Sequence, residues 1–216
     1  MGKYLMRVDI KVVLFFHGGV GFFNGWYKGV GMMTSNKFEN IETDNLILRK
    51  FKKEDLEDFY HYRNEPEIRR YKGEGWCDCT LEKAKEFIDQ QKNAEPGKPK
   101  HWFQVAIELK SNNELIGDLG MYTLEEEKTA QMIIAIAPEY LQEEFGLEAT
   151  KALLNYIFNE LDIIQVDFIA DERNRAAMNL MEYLRLEKQG GFTTNEEADG
   201  EDKTEHFFTV TKEQWG

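Results

Sequence analysis

The sequence predicts a mixed α/β fold of the α+β class: a mostly antiparallel mixed sheet with one β-α-β unit and helices on both faces. Three observations predict it. Segment 130–137 is apolar at nearly every position, which is typical of a central strand covered on both faces. An amphipathic helix at 148–161 and a strand at 165–170 follow it, which completes a β-α-β unit. The earlier strands are separated by short turns, which favour antiparallel pairing.

Each element has its own local signal. Strands are predicted, in chain order, at 45–51, 101–109, 115–122, 130–137, 165–170 and 206–211. Helices are predicted at 54–63, 66–70, 80–92, 148–161 and 174–184. Pro66 suits the first turn of a helix, because the N–H that proline lacks would have no partner there. Thr80 is a good N-cap. Residues 111–114, Ser-Asn-Asn-Glu, are predicted to turn one hairpin.

Charge and cysteine content limit the possible partners. The net charge of -13 disfavours a nucleic-acid partner, because phosphate binding needs a basic surface. An acidic surface tolerates cationic substrates such as amines. The alternative interpretation is that the charge only keeps the protein soluble. Cys77 and Cys79 are too close in sequence to form an unstrained disulfide, and two ligands do not make a zinc site. We therefore expect a cytoplasmic protein with reduced cysteines, no metal site and no membrane segment.

The first 33 residues differ from the rest. They contain four basic residues and one acidic residue, so the remainder carries 27 − 4 = 23 basic and 40 − 1 = 39 acidic residues. The apolar run 12–16 is too short for a membrane span, and no signal-peptide cleavage site follows it. Residues 28–30 can be encoded by a ribosome-binding sequence just upstream of Met32 and Met33. We expect 1–33 to be a non-native or disordered extension and 34–216 to be the domain.

Several local motifs occur in a recognisable order. They are Glu42-Thr-Asp-Asn-Leu-Ile-Leu-Arg49, Leu115-Ile-Gly-Asp-Leu-Gly120, Pro138-Glu-Tyr140, Glu148-Ala149, Asn174-x-x-Ala-x-x-Leu-Met-Glu182 and Lys212-Glu-Gln-Trp215. In this order and at this spacing, segment 43–215 resembles the GNAT N-acetyltransferase superfamily. Within it, the chain is similar to the branch that acetylates the N-termini of ribosomal proteins.

The resemblance implies that an acetyl group is transferred from acetyl-CoA to a primary amine, either a small amine or a protein N-terminus. It also implies a V-shaped cleft between strands 130–137 and 165–170. The residues that it places at the cofactor are Ile134, Ala135, Ile136, Gln142, Glu143, Glu144, Phe145, Gly146, Leu147 and Asn174. Asn174 is equally explained as the N-cap of the last long helix.

The cofactor loop departs from the family pattern. Relatives carry two glycines where this chain has Gln142 and Glu144, although Gly146 remains. A carboxylate about 4 Å from a diphosphate costs about 1 kcal/mol in water and about 4 kcal/mol at the effective dielectric near a protein surface. We therefore expect acetyl-CoA binding to be weaker than in a typical relative, or lost. The alternative is that Glu143 and Glu144 simply favour the dipole of the following helix.

The expected proton-transfer residues are also replaced. Gln131 occupies the position of a glutamate base, Met181 that of an acid tyrosine, and Ala177 that of the serine found in this branch. Asp118, Tyr122 and Tyr183 are nearby ionisable substitutes, and Gln131, Asp118 and Tyr183 are kept as catalytic candidates. Two further hypotheses remain open: a catalytically silent binding protein with this fold, and a structural subunit of a dimer.

Overall fold

The computed structural model describes residues 38–71, 79–124, 128–141, 143–195 and 202–216. The predicted extension at 1–33, as well as Cys77 and Gln142, lies outside the described residues. Within the described part, no helix has both the length and the apolar character needed to cross a bilayer.

The described strands form one mixed sheet. They are β1 (Ile41–Glu42), β2 (Leu46–Arg49), β3 (Trp102–Leu109), β4 (Glu114–Thr123), β5 (Thr129–Ile136), β6 (Gln165–Asp171), β7 (Glu187–Asn195) and β8 (Asp202–Thr211). Their spatial order is β1-β2-β3-β4-β5-β6-β8-β7. Only β5 and β6 pair in parallel, and α4 connects them. The predicted mostly antiparallel sheet with one β-α-β unit is confirmed.

The helices cover both faces of this sheet. They are α1 (Leu56–Asn64), α2 (Pro66–Arg70), α3 (Leu81–Gln91), α4 (Phe145–Glu160), α5 (Arg175–Tyr183) and the short C-terminal α6 (Lys212–Trp215). One core cluster joins the buried stripes of α4 and α5 to the sheet, and a second joins α1 and α3 to its other side. We call these sides the α4/α5 face and the α1/α3 face.

Local signals account for several boundaries. Pro66 opens α2, as predicted. The Thr80 side chain accepts a hydrogen bond from the Lys83 N–H and so caps α3. The hairpin between β3 and β4 turns at Asn113, whose φ of 60° is one that asparagine tolerates well.

The sequence-based prediction missed two strands. β1 has only two residues, and β7 begins Glu-Lys-Gln-Gly, a composition with low strand propensity. β7 is nevertheless held along its whole length by pairing with β8, with a register shift between Lys188 and Gly190. The strand predicted at 206–211 is therefore only part of β8, which starts at Asp202.

Candidate functional site

The parallel pair at the centre of the sheet separates along its length. Strands β5 and β6 pair from Thr129 with Gln165 to Met132 with Phe168. Beyond that point, 133–136 pair only with β4, and 169–171 pair only with β8. The two strands therefore leave a cleft between them, as predicted, and the edge of β5 at 133–136 faces it without a strand partner.

The predicted cofactor residues of β5 line this edge and point alternately to the two faces. Ile134 and Ile136 belong to the α4/α5 core, whereas Ala135 belongs to the α1/α3 core. Ile134 is half-buried and Ile136 is buried. Main-chain groups on the cleft side of 133–136 are consequently the hydrogen-bonding groups that β5 can offer to a ligand.

The loop between β5 and α4 presents main-chain donors. A 3₁₀ turn at Pro138–Tyr140 leads to Glu144, the residue immediately before α4. Among the described residues, the N–H groups of 144–147 have no acceptor, and Glu148 N–H makes the first helical bond, to Glu144 O at 2.9 Å. Unpaired N–H groups and the helix dipole together favour an anion at this position.

The first turn of α4 contains Gly146, the glycine that remains of the predicted cofactor loop. A methyl group added at Gly146 would lie 3.7 Å from the side chains of both Ile134 and Ile136, which is ordinary contact. Packing against the sheet therefore does not require glycine here, but a glycine leaves the main chain accessible. The same contacts place Gly146 beside the β5 residues that border the cleft.

The two glutamates of this loop are exposed. The side chains of Glu143 and Glu144 both lie in solvent, and Glu144 makes no capping hydrogen bond to α4. Exposure places any repulsion between these carboxylates and a bound diphosphate near the lower end of the expected range, about 1 kcal/mol at about 4 Å, and salt reduces it further. The main chain therefore remains suited to a diphosphate despite the two charges.

Glu148 connects the first turn of α4 to the start of β2. Its two carboxylate oxygens accept hydrogen bonds from Asn45 N–H at 2.8 Å and Asn45 Nδ2 at 2.9 Å. Partial burial pushes the pKa of Glu148 up, but the hydrogen bonds from Thr43, Asn45 and Leu46 outweigh it and lower the pKa below its usual value. Glu148 is therefore engaged in holding α4, and it is not a free carboxylate of the site.

Asn174 performs the capping role that its position predicts. Its Oδ1 accepts a hydrogen bond from Ala177 N–H at 3.1 Å, so the residue is the N-cap of α5. Its Nδ2 has no acceptor among the described residues, and this donor is available to a ligand. Asn174 lies three residues beyond Asp171, the end of the β6 segment that has separated from β5.

Asp118, one of the predicted catalytic candidates, is fully buried under α1. Arg63 Nη2 lies 2.6 Å from Asp118 Oδ1 and also donates to Gln104 Oε1 at 3.3 Å. The Tyr62 hydroxyl donates to Asp118 Oδ2. Burial and the adjacent carboxylate raise the pKa of Tyr62 well above its usual value, so its phenol stays protonated. This position favours a structural role for Asp118 over a role in proton transfer.

The glycines of the Leu115–Gly120 motif are explained by close packing around that acid. A methyl group added at Gly117 would meet the carbonyl oxygen of Ala135 at 2.2 Å, and one at Gly120 would meet Gln104 Cγ at 2.7 Å. Only glycine lets β4 approach both β5 and the Gln104 side chain this closely. The motif therefore fixes the position of β5 at the border of the cleft.

The other predicted candidates are dispersed. Gln131 is half-buried on β5 and, being separated from Ala135 by four strand positions, points to the α1/α3 face. Tyr183 is 70% exposed at the end of α5, whereas Met181 is buried. No titratable pair of acid and base is assembled by these residues.

Sequence reasoning did not single out Asp167 of β6. It is half-buried and lies in register with Gln131 of β5 and Thr209 of β8. Its Oδ1 accepts hydrogen bonds from Gln165 Nε2 at 2.9 Å and Thr209 Oγ1 at 2.7 Å. The available signal was an acidic residue inside an otherwise apolar run, since Val166 precedes it and Phe168, Ile169 and Ala170 follow it.

An apolar surface adjoins Asp167 on the same face. Ile169, two residues further along β6, is 43% exposed and lies in register with Phe207 of β8. The Phe207 ring contacts the Phe192 ring at a centroid distance of 5.3 Å. At the end of α2, the Tyr71 hydroxyl donates to the Arg173 carbonyl at 3.2 Å, which connects α2 to the segment after β6.

The central parallel pair of this mixed sheet separates beside the N-terminus of α4, whose first N–H groups have no acceptor among the described residues. This combination is typical of domains that bind a ligand at the carboxyl ends of parallel strands. Residues 45–187, more than half of the chain, match the family model described as the acetyltransferase (GNAT) domain. The chain therefore belongs to this family of acetyltransferases.

Individual relatives have low sequence identity to this chain, but each match extends over nearly the full length of the relative. The chain is 25% identical over 178 residues to the uncharacterised N-acetyltransferase YnaD of Bacillus subtilis (strain 168), covering 82% of this chain and 99% of that protein. An acetyltransferase of the GNAT family from Bacillus anthracis superposes with a TM-score of 0.70 at 22% identity, covering 81% of this chain and 99% of that one. RimL, a ribosomal alpha-N-protein acetyltransferase solved with coenzyme A, superposes with a TM-score of 0.69 at 13% identity, covering 82% and 99%.

Proposed function

We propose that this chain is an N-acetyltransferase that uses acetyl-CoA to acetylate a primary amine. The observation that carries the proposal is the proximity of the two halves of the cofactor site. The N–H groups of 144–147 begin a helix whose first turn rests on Ile134 and Ile136, the residues that border the cleft. One extended ligand with an anionic end can therefore span both.

Each part of this site has a separate task in the proposal. The N–H groups of 144–147 hold the diphosphate, and the free edge of β5 at 133–136 orients the arm that leads into the cleft. Asn174 Nδ2 provides one further donor from the opposite side. When bound, acetyl-CoA supplies the activated acetyl thioester. Much of the rate enhancement then comes from holding the amine beside it in the correct orientation.

Two classes of acceptor are consistent with the site, a small amine and a protein N-terminus. The motifs at 42–49 and 115–120 support the branch that acetylates ribosomal-protein N-termini, and the likeness to RimL is in the same direction but distant. The acidic net charge of -13 suits either acceptor, since both approach as cations.

A second candidate function is a catalytically silent binding protein with the same fold. The observation that favours it is the absence of an acid–base pair from the predicted positions in the described structure: Gln131 is an amide, Met181 is a buried thioether, and Asp118 is neutralised by Arg63. Such a protein would bind a ligand in the cleft but would not catalyse acetyl transfer.

Thermal unfolding with and without acetyl-CoA tests the proposed cofactor site. A ligand at about 100 times its Kd stabilises the folded state by about 2.7 kcal/mol. For a domain of this size, that corresponds to a rise in Tm of about 5–10 °C. No rise at millimolar acetyl-CoA would contradict the proposal.

Acetylpantetheine is the matched control for this measurement, because it has the thioester and the arm but lacks the diphosphate. We expect it to raise Tm much less than acetyl-CoA at equal concentration. Equal stabilisation by both compounds would show that the N–H groups of 144–147 hold no phosphate. Release of free CoA in the presence of an amine then distinguishes the transferase from the silent protein. The silent protein binds acetyl-CoA but does not convert it to free CoA.

A further inference from the structure

Asp167 differs from the fully buried acidic side chains of the described structure, each of which is paired with a cation. Asp118 is paired with Arg63, Asp171 with Arg173, and Glu108 with Arg49 and Lys52. Buried or partly buried charges are normally compensated in this way. Half-buried Asp167 is contacted only by the neutral side chains of Gln165 and Thr209. Half-buried Glu148 also accepts only from neutral donors, but both of its oxygens are engaged.

Only one of its carboxylate oxygens is engaged. Both neutral donors bind Oδ1, and among the described residues Oδ2 has neither a hydrogen-bond donor nor a cation. The two bonds to Oδ1 fix the carboxylate group between β6 and β8. The remaining oxygen is consequently an oriented acceptor, and the structure has no cation of its own for it.

The position of Asp167 connects this oxygen to the cleft. Asp167 is the residue before Phe168, where the pairing of β6 with β5 ends. In-register neighbours on a sheet point to the same face, and adjacent strands lie about 4.8 Å apart. Asp167 is therefore one strand away from Gln131, the position where relatives are expected to carry a basic carboxylate, and it points to the same α1/α3 face.

The surface beyond this carboxylate is apolar. Ile169 and Phe207 are in register on neighbouring strands, and Phe192 contacts Phe207 on the next strand. Ile169 is among the few large apolar side chains that are substantially exposed. A carboxylate beside an exposed apolar surface is complementary to a cationic amine attached to an apolar group.

We propose that Asp167 binds the ammonium group of the acceptor and accepts its proton, and that the acceptor is a primary amine with an apolar body that contacts Ile169, Phe207 and Phe192. This inference rests on the proposed acetyl transfer. It assigns Asp167 as a catalytic residue, replacing Gln131, Asp118 and Tyr183 as the base.

Acetyl transfer starts from the ammonium form of the bound amine. Asp167 Oδ2 takes one proton from the ammonium, which leaves a neutral amine with a free electron pair. The amine nitrogen forms a bond to the acetyl carbon while the carbon–sulfur bond breaks. The second proton lost from nitrogen reaches the departing sulfur, which leaves as the thiol of CoA. The proton on Asp167 passes to solvent, and the products are the N-acetyl amine and CoA.

Binding of 2-phenylethylamine, measured by calorimetry on the full chain, tests the ammonium site without relying on turnover. We expect Asp167→Asn to weaken binding about tenfold or more, because a charge-assisted hydrogen bond is lost. The neutral analogue 2-phenylethanol should bind both forms alike. Asp162→Asn is the matched control, since Asp162 lies on the surface in an exposed pair with Lys128. No detectable binding to the wild-type protein, or equal binding to Asp167→Asn, would overturn the inference.

Turnover of 2-phenylethylamine, followed by release of the CoA thiol, tests the proton transfer. We expect Asp167→Asn to lower kcat by about 10²–10⁴-fold, the usual contribution of general base catalysis. Its residual rate should increase about tenfold per pH unit, because only amine that is already neutral can react. The other ionisable side chains on this face of strands β4 to β8 are Tyr122, Glu187, Asp171 paired with Arg173, Asp118 paired with Arg63, and the Lys203–Glu205 pair further along β8.

The transferase function and the role of Asp167 are contradicted by different results. If wild-type protein neither gains stability with acetyl-CoA nor releases CoA with any amine, the transferase function itself is wrong. If wild-type protein acetylates 2-phenylethylamine and Asp167→Asn does so at an equal rate and with an unchanged pH profile, the role of Asp167 is wrong. The Tm increase with acetyl-CoA should be the same in both proteins, which shows that the variant is folded.

Discussion

At the scale of single residues, Asp118 shows how a fully buried charge is compensated by a neighbouring cation. It is fully buried, and Arg63 beside it is also buried. Removing one partner of a buried ion pair leaves the other uncompensated, at a cost of about 3–5 kcal/mol. We therefore expect Asp118→Asn to lower the free energy of unfolding by about that amount, measured by urea denaturation.

The surface pair of Lys128 and Asp162 provides the comparison. Both side chains are more than half exposed, although their charged atoms are 2.8 Å apart. Such pairs contribute about 0–1 kcal/mol. Asp162→Asn should accordingly change the urea midpoint little. If Asp118→Asn were equally mild, the Arg63–Asp118 pair would not be a determinant of stability.

At the scale of elements, Glu148 is a pH-sensitive connection between α4 and β2. Its pKa is lower in the folded chain than in the unfolded chain, because hydrogen bonds from Asn45 favour the charged form. The stabilisation is thus present above the unfolded pKa, about 4.3, and is lost as the pH falls through the lower folded value. We expect the difference in unfolding free energy between wild-type and Glu148→Gln to be constant above about pH 5 and to shrink as the pH falls below about 4.3 and through the lower folded pKa.

Asn45→Ala offers an independent check of the same connection. It removes the side-chain donor at 2.9 Å but leaves the main-chain donor at 2.8 Å, so its effect should be smaller than that of Glu148→Gln. If the difference in unfolding free energy between wild-type and Glu148→Gln stayed constant with pH, the hydrogen bonds would not depend on the charge of Glu148.

The elements also show what the sequence could and could not reveal. Strand β5 was predictable because it is apolar on both sides, and α4 because its apolar stripe recurs at helical spacing. β7 was not, because its pairing with β8, and not its own composition, makes it a strand. Asp167 was missed for a related reason: strand register decides that it lies beside Gln131, and one sequence does not contain the register between distant segments.

At the scale of the whole molecule, the sheet consists of two antiparallel parts connected by one short parallel junction. Strands β1–β5 form one part, and β6, β8 and β7 form the other. Only the pairs from Thr129–Gln165 to Met132–Phe168 join them. The cleft exists because this junction is short, so a ligand bound in the cleft replaces strand pairing that the chain itself does not make.

This arrangement predicts a localised pattern of hydrogen-exchange protection. Acetyl-CoA should slow exchange of the amides of 144–147, which have no acceptor among the described residues, and of those amides of 133–136 that face the cleft. Amides of β3, already paired with β2 and β4, should change little. Acetylpantetheine, which lacks the diphosphate, should protect 133–136 but leave 144–147 exchanging as in the free protein. Protection spread evenly over the sheet, or absent from both segments, would contradict a cofactor site at the separation of β5 and β6.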